Sequence, residues 1–365
     1  MLHEGASTVK VKKRAARAVP LLLALSLCAQ SACSNGSAAN DPDAEPVVYE
    51  YSVSTTPFYF GDEERFNLSE ASLGYGHLLI GYNFMYGVRD SHGDPDCIVV
   101  LDTDFGVVRE VPFELFVWEL SDMFGETSRI YSIKVTPGGG FWACRSINQG
   151  EILLYDESGE QQLVLSFANL VATWSLRPDI EFIQMLAVDA GGRLYLSLGV
   201  EDGHYCVILI DQTGALVDSW EFEPVNGLYM AILDDGTPVI AMDIGKLFET
   251  VRELHSLHPG GEITLICELD SLEGCTYSRW FIYSGIGREI FFESSEACQL
   301  VRFDLDLLTF EVVADWSDQP GVEVKYAGVS TSVNHYLEDL YVVSDEQIIG
   351  VLVFGGKASW IRFTK

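Results

Sequence analysis

Cations are scarce in this chain. Its 365 residues hold 22 Lys and Arg against 54 Asp and Glu, a net charge of −32 at pH 7. A surface so acidic repels phosphate backbones and anionic headgroups, which excludes nucleic-acid binding. No CxxC or Cys/His spacing marks a metal site. GxSxG, HExxH, a Walker loop and a GxGxxG after a strand are all missing, so no standard catalytic signature is present. The 12 prolines are scattered, and 48% of residues are hydrophobic, which fits a folded chain with a sizeable core.

What basic charge there is gathers at the front. Lys10, Lys12, Lys13, Arg14 and Arg17 precede the apolar stretch "AVPLLLALSLCA", Ala18 to Ala29. Twelve residues are too few to span a bilayer, and the layout is that of an export signal. The following "QSACSNGSAANDPDAEP" resembles the lipobox and tether of a bacterial lipoprotein, with Cys33 as the lipidated residue and Gln30 where an aliphatic residue is usual. Ordinary secretory cleavage between Ser31 and Ala39 is the alternative. The expected layout is a signal peptide over 1–33, a tether over 34–46 and one domain over 47–365, exported and held at the outer face of the membrane. Removing residues 1–33 leaves 17 basic and 53 acidic residues, a charge of −36. Of the later cysteines, Cys267 and Cys275 are close enough for a local disulfide; the others read mainly as buried thiols.

The body repeats itself. "VVLDTDFGVVREVPF", "ILLYDESGEQQLVLSF" and "VILIDQTGALVDSWEF" align on Asp102, Asp156 and Asp211, each with a phenylalanine eleven residues later. Looser copies align through His258 and Asp304, with intervals of 54, 55, 47 and 46 residues. Two further strand-like runs joined by a Gly-rich turn precede each copy, as in "IYSIKVTPGGGFWACRS" and "FIQMLAVDAGGRLYLSL". A period near 50 made only of strands predicts an all-β propeller of six four-stranded blades, with seven as the alternative count. The segment from Val322 to Phe363 is assigned the four strands of the sixth blade. Val47 to Ser54 is then a closing strand or the start of a seventh. The arrangement and its repeated Φ-D-x-x-G turn resemble the bacterial six-bladed propellers of the NHL, TolB and SMP-30/gluconolactonase type.

In such a ring, ligands meet the channel mouth, where side chains from several blades converge. Arg65, Arg129, Arg177, Arg279 and Lys325 lie on or before inner strands, and as a ring they would hold a carboxylate or phosphate; pairing with neighbouring carboxylates is the competing role. Tyr229, Trp280 and Tyr326, with Trp118, Phe124, Trp174 and Tyr277, offer aromatic platforms for a sugar or peptide, or packing between blades. Asp90, Asp94, Asp96, Glu201 and Asp202 sit in acidic loops that could take calcium, although neither loop follows a known calcium motif. The gluconolactonase resemblance implies an axial metal held by inner-strand carboxylates and amides. Here "IYSIKV", "FIQMLAV", "YMAIL" and "WFIYS" carry hardly an oxygen ligand, which counts against that chemistry and predicts a channel narrowed by apolar packing. The expected function is a lipid-anchored, non-catalytic module binding a protein partner, an anionic small molecule or a sugar. No cofactor is required, calcium being the one candidate. The alternative is a metal-dependent extracellular hydrolase or lactonase acting on a carbohydrate.

Overall fold

Side chains on successive strand residues point to opposite faces of a sheet. In Phe141–Arg145 that alternation separates Phe141 and Ala143 from Trp142 and Cys144, and both sets are buried, in two different clusters. A strand apolar on both faces needs a sheet packed on each side, and a ring of sheets supplies this without leaving an end. The computed structural model describes residues 49–57, 66–84, 97–112, 116–117, 128–145, 151–166, 170, 174, 180–200, 203–246, 249–272, 281–294, 298–316, 324–326, 329–331, 336–354 and 357–365.

The first strand, β1 (Ser52–Pro57), belongs to the last sheet. The first blade is the meander β2 (Phe66–Gly74), β3 (His77–Phe84), β4 (Cys97–Leu101) and β5 (Val107–Pro112). In the second blade a short β6 (Phe116–Val117) lies beside β7 (Ser128–Val135), followed by β8 (Phe141–Arg145), β9 (Glu151–Tyr155) and β10 (Gln161–Ser166). The third holds β11 (Phe182–Val188), β12 (Leu194–Val200), β13 (Gly203–Ile210) and β14 (Leu216–Val225). The fourth holds β15 (Gly227–Ile232), β16 (Pro238–Lys246), β17 (Glu249–His258) and β18 (Glu262–Glu268). The fifth holds β19 (Ile282–Ser284), β20 (Glu289–Ser294), β21 (Gln299–Asp304) and β22 (Thr309–Asp315). A separate hairpin, β23 (Val324–Tyr326) with β24 (Val329–Thr331), precedes the sixth blade of β25 (Tyr336–Ser344), β26 (Gln347–Phe354) and β27 (Lys357–Thr364).

That blade takes its fourth strand from the other end of the chain. β1 pairs with β27 from Ser52↔Thr364 to Pro57↔Ser359. The expectation that Val322 to Phe363 supplies all four strands is therefore corrected: among the described residues β23 and β24 pair only with each other, and the early strand closes the ring against the last blade, the first of the two readings given for Val47 to Ser54. Closure from both ends means that the ring opens only if the β1–β27 ladder breaks. Tyr51 N–H adds a bond to Val313 O of β22 at 2.9 Å, and Glu50 pairs with Arg302 at 2.8 Å and with Lys365 at 2.7 Å.

Six apolar clusters fill the six gaps between neighbouring blades. The gap between the first and last is packed by Leu73, Leu78 and Leu101 against Ile349, Val351 and Trp360. The largest buried side chains sit in such gaps. Trp142 has no exposed surface and donates its indole N–H to Gly192 O of the third blade at 3.1 Å.

The repeated aspartate is a turn device. Asp211 Oδ1 accepts from Thr213 N at 2.8 Å and Ala215 N at 3.0 Å, and Asp156 does the same for Ser158 and Glu160. These bonds hold both carboxyls below the usual range, the Thr213 and Ser158 hydroxyls contributing most. Gly159 and Gly214 take φ of 82° and 81° three residues after the aspartate. In the first blade Phe105 occupies that place at φ 67°, a region costly for a side chain. Stacking offsets the cost: its ring lies 4.4 Å from Trp360 at 12°, with the Arg362 guanidinium 4.7 Å above its centre.

Candidate functional site

An innermost blade strand is a sheet edge, with unpaired N–H and C=O groups that need partners. Neighbouring blades supply them. Val135 N donates to Ser72 Oγ at 2.9 Å, Leu73 N to Asp339 Oδ2 at 2.8 Å and Ile232 N to Ser284 Oγ at 3.0 Å. Tyr283 donates its hydroxyl to Leu337 O at 3.0 Å, and Tyr75, in the turn after β2, donates past the second blade to Val188 O of the third at 2.7 Å. These side chains tie β2, β7, β11, β15, β19 and β25 around one axis.

The six strands enclose a cavity of about 780 Å³. This is the size range of small-molecule sites. The expectation of a channel narrowed by apolar packing left out the polar part of this lining. The four strands quoted for it omitted β25, which brings "LED" to the axis, Leu337 to Asp339. A bulge between Leu337 and Asp339 makes Glu338 an extra residue against β26, so two successive carboxylates line the cavity rather than alternating across the sheet.

The two carboxylates differ in what holds them. Asp339 accepts Leu73 N on Oδ2 and Leu340 N on Oδ1, both at 2.8 Å, so it is committed to the fold. Glu338 has no hydrogen bond or ion pair among the described residues. Burial raises both carboxyls above their ordinary range; for Glu338 the neighbouring charge of Asp339 adds to this, and Lys134 opposes it for both. Lys134, on β7, also lines the cavity without an ion pair or hydrogen bond among the described residues, as does the exposed Gln184 of β11.

The rest of the lining is apolar and aromatic. Phe182, Met185, Met230, Tyr229 and Phe281 come from the third to fifth blades. Tyr229 and Phe281 meet edge to face at 5.0 Å. Phe182 lies edge-on to His204 at 4.8 Å, in space that only Gly199 leaves open: a Cβ there would sit 1.8 Å from the ring. His204 bonds Ser197 Oγ through Nδ1 at 3.0 Å, and burial pushes its pKa down to about 4, so it stands neutral in the wall.

Of the residues expected at the mouth, Tyr229 lines the cavity. Arg129 lies on β7 opposite Phe116, and Lys325 and Tyr326 lie on β23; their side chains fall outside what is described. Arg65, Arg177, Arg279, Trp280, the acidic-loop residues Asp90, Asp94, Asp96, Glu201 and Asp202, and Cys33 all lie outside the described residues, as do Trp118, Phe124 and Tyr277. Trp174 is buried between the second and third blades and is packing, not platform. Cys267 is a buried thiol and not half of a local disulfide. Burial lifts its pKa to about 11. His255 and His258 bond different partners, Glu253 and Ser256, and form no joint site. Among the described residues no three His, Cys, Asp or Glu stand close enough to hold a metal ion.

No family model matches the chain, and no curated protein matches it. Solved structures do. YCF48 bound to D1 peptide is 12% identical, over 88% of this chain and 98% of that one, with a TM-score of 0.48. The PQQ-bound aldose sugar dehydrogenase of Streptomyces coelicolor is 14% identical over 88% and 99%, with a TM-score of 0.47. The β-propeller domain of Myceliophteria thermophila Cps50 (Swd1) is 10% identical over 85% and 99%, with a TM-score of 0.46. These are likenesses of overall fold; the six-bladed assignment rests on the strand order and the six interfaces.

Proposed function

We propose that this chain is an exported β-propeller, anchored by lipid at Cys33, that binds a small polar molecule in its axial cavity without transforming it. One observation carries the binding reading: all six inner strands converge on a cavity where Lys134, Gln184 and Glu338 have no protein partner among the described residues. Polar groups placed in a largely apolar concavity fix and orient a ligand. With three carboxylates, Asp234, Glu338 and Asp339, to one lysine in the described lining, a plain anion is disfavoured unless the arginines expected at the mouth add to it. The anchor rests on the basic, apolar and small-residue order of the first forty residues.

A thermal-shift screen of the mature chain with calcium, uronates, phosphosugars, neutral sugars and amino acids tests the binding reading. Metal-independent stabilisation by a polar compound supports it. Calcium-dependent stabilisation accompanied by turnover of a lactone replaces it with the hydrolase alternative, and silence moves the reading to a protein partner. The anchor is tested separately by fractionating cells that express the Cys33→Ser chain. A variant as firmly membrane-bound as the parent removes lipidation at Cys33.

A further inference from the structure

The geometry points to a zwitterion, an α-amino acid with an apolar side chain, as the occupant of the axial cavity. This rests on the reading of that cavity as a binding site and narrows it to one chemical class. Lys134 and Glu338 stand on the second and sixth blades, with β2 of the first blade between them. The charge of Lys134 acts on Glu338, yet no ion pair joins them among the described residues. Rigid strands fix that separation: Val135 N is bound to Ser72 Oγ, and Leu73 N to Asp339 Oδ2, on the two sides of β2. The bulge that turns Glu338 inward fixes the carboxylate end.

A half-buried ammonium and a half-buried carboxylate held apart in one cavity are each short of a protein partner among the described residues. A simple anion would pair with Lys134 and face Glu338 and Asp339. A simple amine would pair with Glu338 and leave Lys134 unmet. A neutral sugar would satisfy neither charge in full. A ligand carrying both charges pairs its carboxylate with Lys134 and its ammonium with Glu338. The two bonds are charge-assisted and stronger than neutral ones. Across the cavity Phe182, Met185, Met230 and Phe281 offer an apolar wall for the side chain. Each Asp339 oxygen already accepts a backbone N–H group, which anchors that carboxylate to the fold and leaves Glu338 as the carboxylate without a protein donor among the described residues.

Calorimetric titration of the mature chain at pH 7 tests this with four probes: L-phenylalanine, phenylalanine amide, N-acetylphenylalanine and glucose. Phenylalanine is expected to bind at least about tenfold more tightly than either blocked analogue, the loss of one charge-assisted bond. Glu338→Gln should erase the preference over N-acetylphenylalanine, and Lys134→Met the preference over the amide, with the melting temperature of both variants not lowered. Equal affinity for phenylalanine and its blocked forms overturns the zwitterion. So does binding of glucose alone, which leaves the cavity a polar-ligand site. Silence from all four overturns both the zwitterion and the cavity as a site for small molecules.

Discussion

The outer strands and the innermost strands of the blades obey different rules. Outer hairpins repeat: Asp102, Asp156, Asp211 and Asp304 each gather two backbone N–H groups on one carboxylate oxygen. Innermost strands do not repeat. β7 carries Lys134, β11 Gln184, β15 the pair Tyr229 and Met230, and β25 the pair Glu338 and Asp339. Where the chain copies itself it is building the ring, since every gap between blades poses the same packing problem. Where the copies diverge, each residue answers to the single space they share. The difference teaches that in this molecule the departures from the repeat, and not the repeat, locate the site.

Breaking the repeated framework should cost the most. Trp142→Ala empties a fully buried place between the second and third blades and should lower stability by roughly 3–5 kcal/mol in denaturant melts; a loss below about 1 kcal/mol would mean that the interfaces do not carry the fold.

Next comes acid. The unfolded His204 takes up a proton near pH 6.5, whereas in the fold its pKa lies near 4, so its share of stability is complete above pH 6.5 and is lost as pH falls to 4. The loss is on the order of 3 kcal/mol. His204→Gln should flatten that limb of the stability–pH curve, and an unchanged slope would show that the ring is not buried neutral.

Asp211→Ala removes one turn carboxylate from an exposed hairpin. A smaller fall in melting temperature than for Trp142→Ala is expected, together with some loss of acid sensitivity. The Asp211 carboxyl is lowered in the fold, so its contribution is present at neutral pH and disappears as pH drops through the folded value.

The smallest effect should have the opposite sign. The Glu338 carboxyl is raised by burial, so its ionisation opposes folding as pH rises past the ordinary carboxylate range. Glu338→Gln should leave the protein as stable at pH 7 or slightly more so. A clear destabilisation would place Glu338 among the structural groups with Asp339.

Much of the ring could be read from local pattern. The outer hairpins follow from their aspartates and the inner pairs from their Gly-rich turns, because hairpin contacts lie a few residues apart. The sixth blade was only partly readable. Its fourth strand pairs Ser52 with Thr364, and no periodicity in either segment signals a partner three hundred residues away. Glu338 was missed for the same reason. A reading of Val322 to Phe363 as four blade strands moves "YLEDLYVV" off the innermost position, although two acids in an otherwise apolar run are a visible signal. Lys134 stood in the quoted "IYSIKV", but its place beside the cavity depends on register, which a bulge between Ile130 and Ser132 resets.

By itself the sequence determined that this chain makes hairpins, that they come in fours, and that both faces of each sheet must be covered; turn chemistry and alternation are short-range and written residue by residue. The sequence offered the early strand as either a closing strand or the start of a seventh blade; tertiary structure decided between them and decided which side chains share the axis. Both depend on pairings between distant segments and on single-residue shifts of register, and the energy of those choices resides in contacts that exist only after the sheets have met.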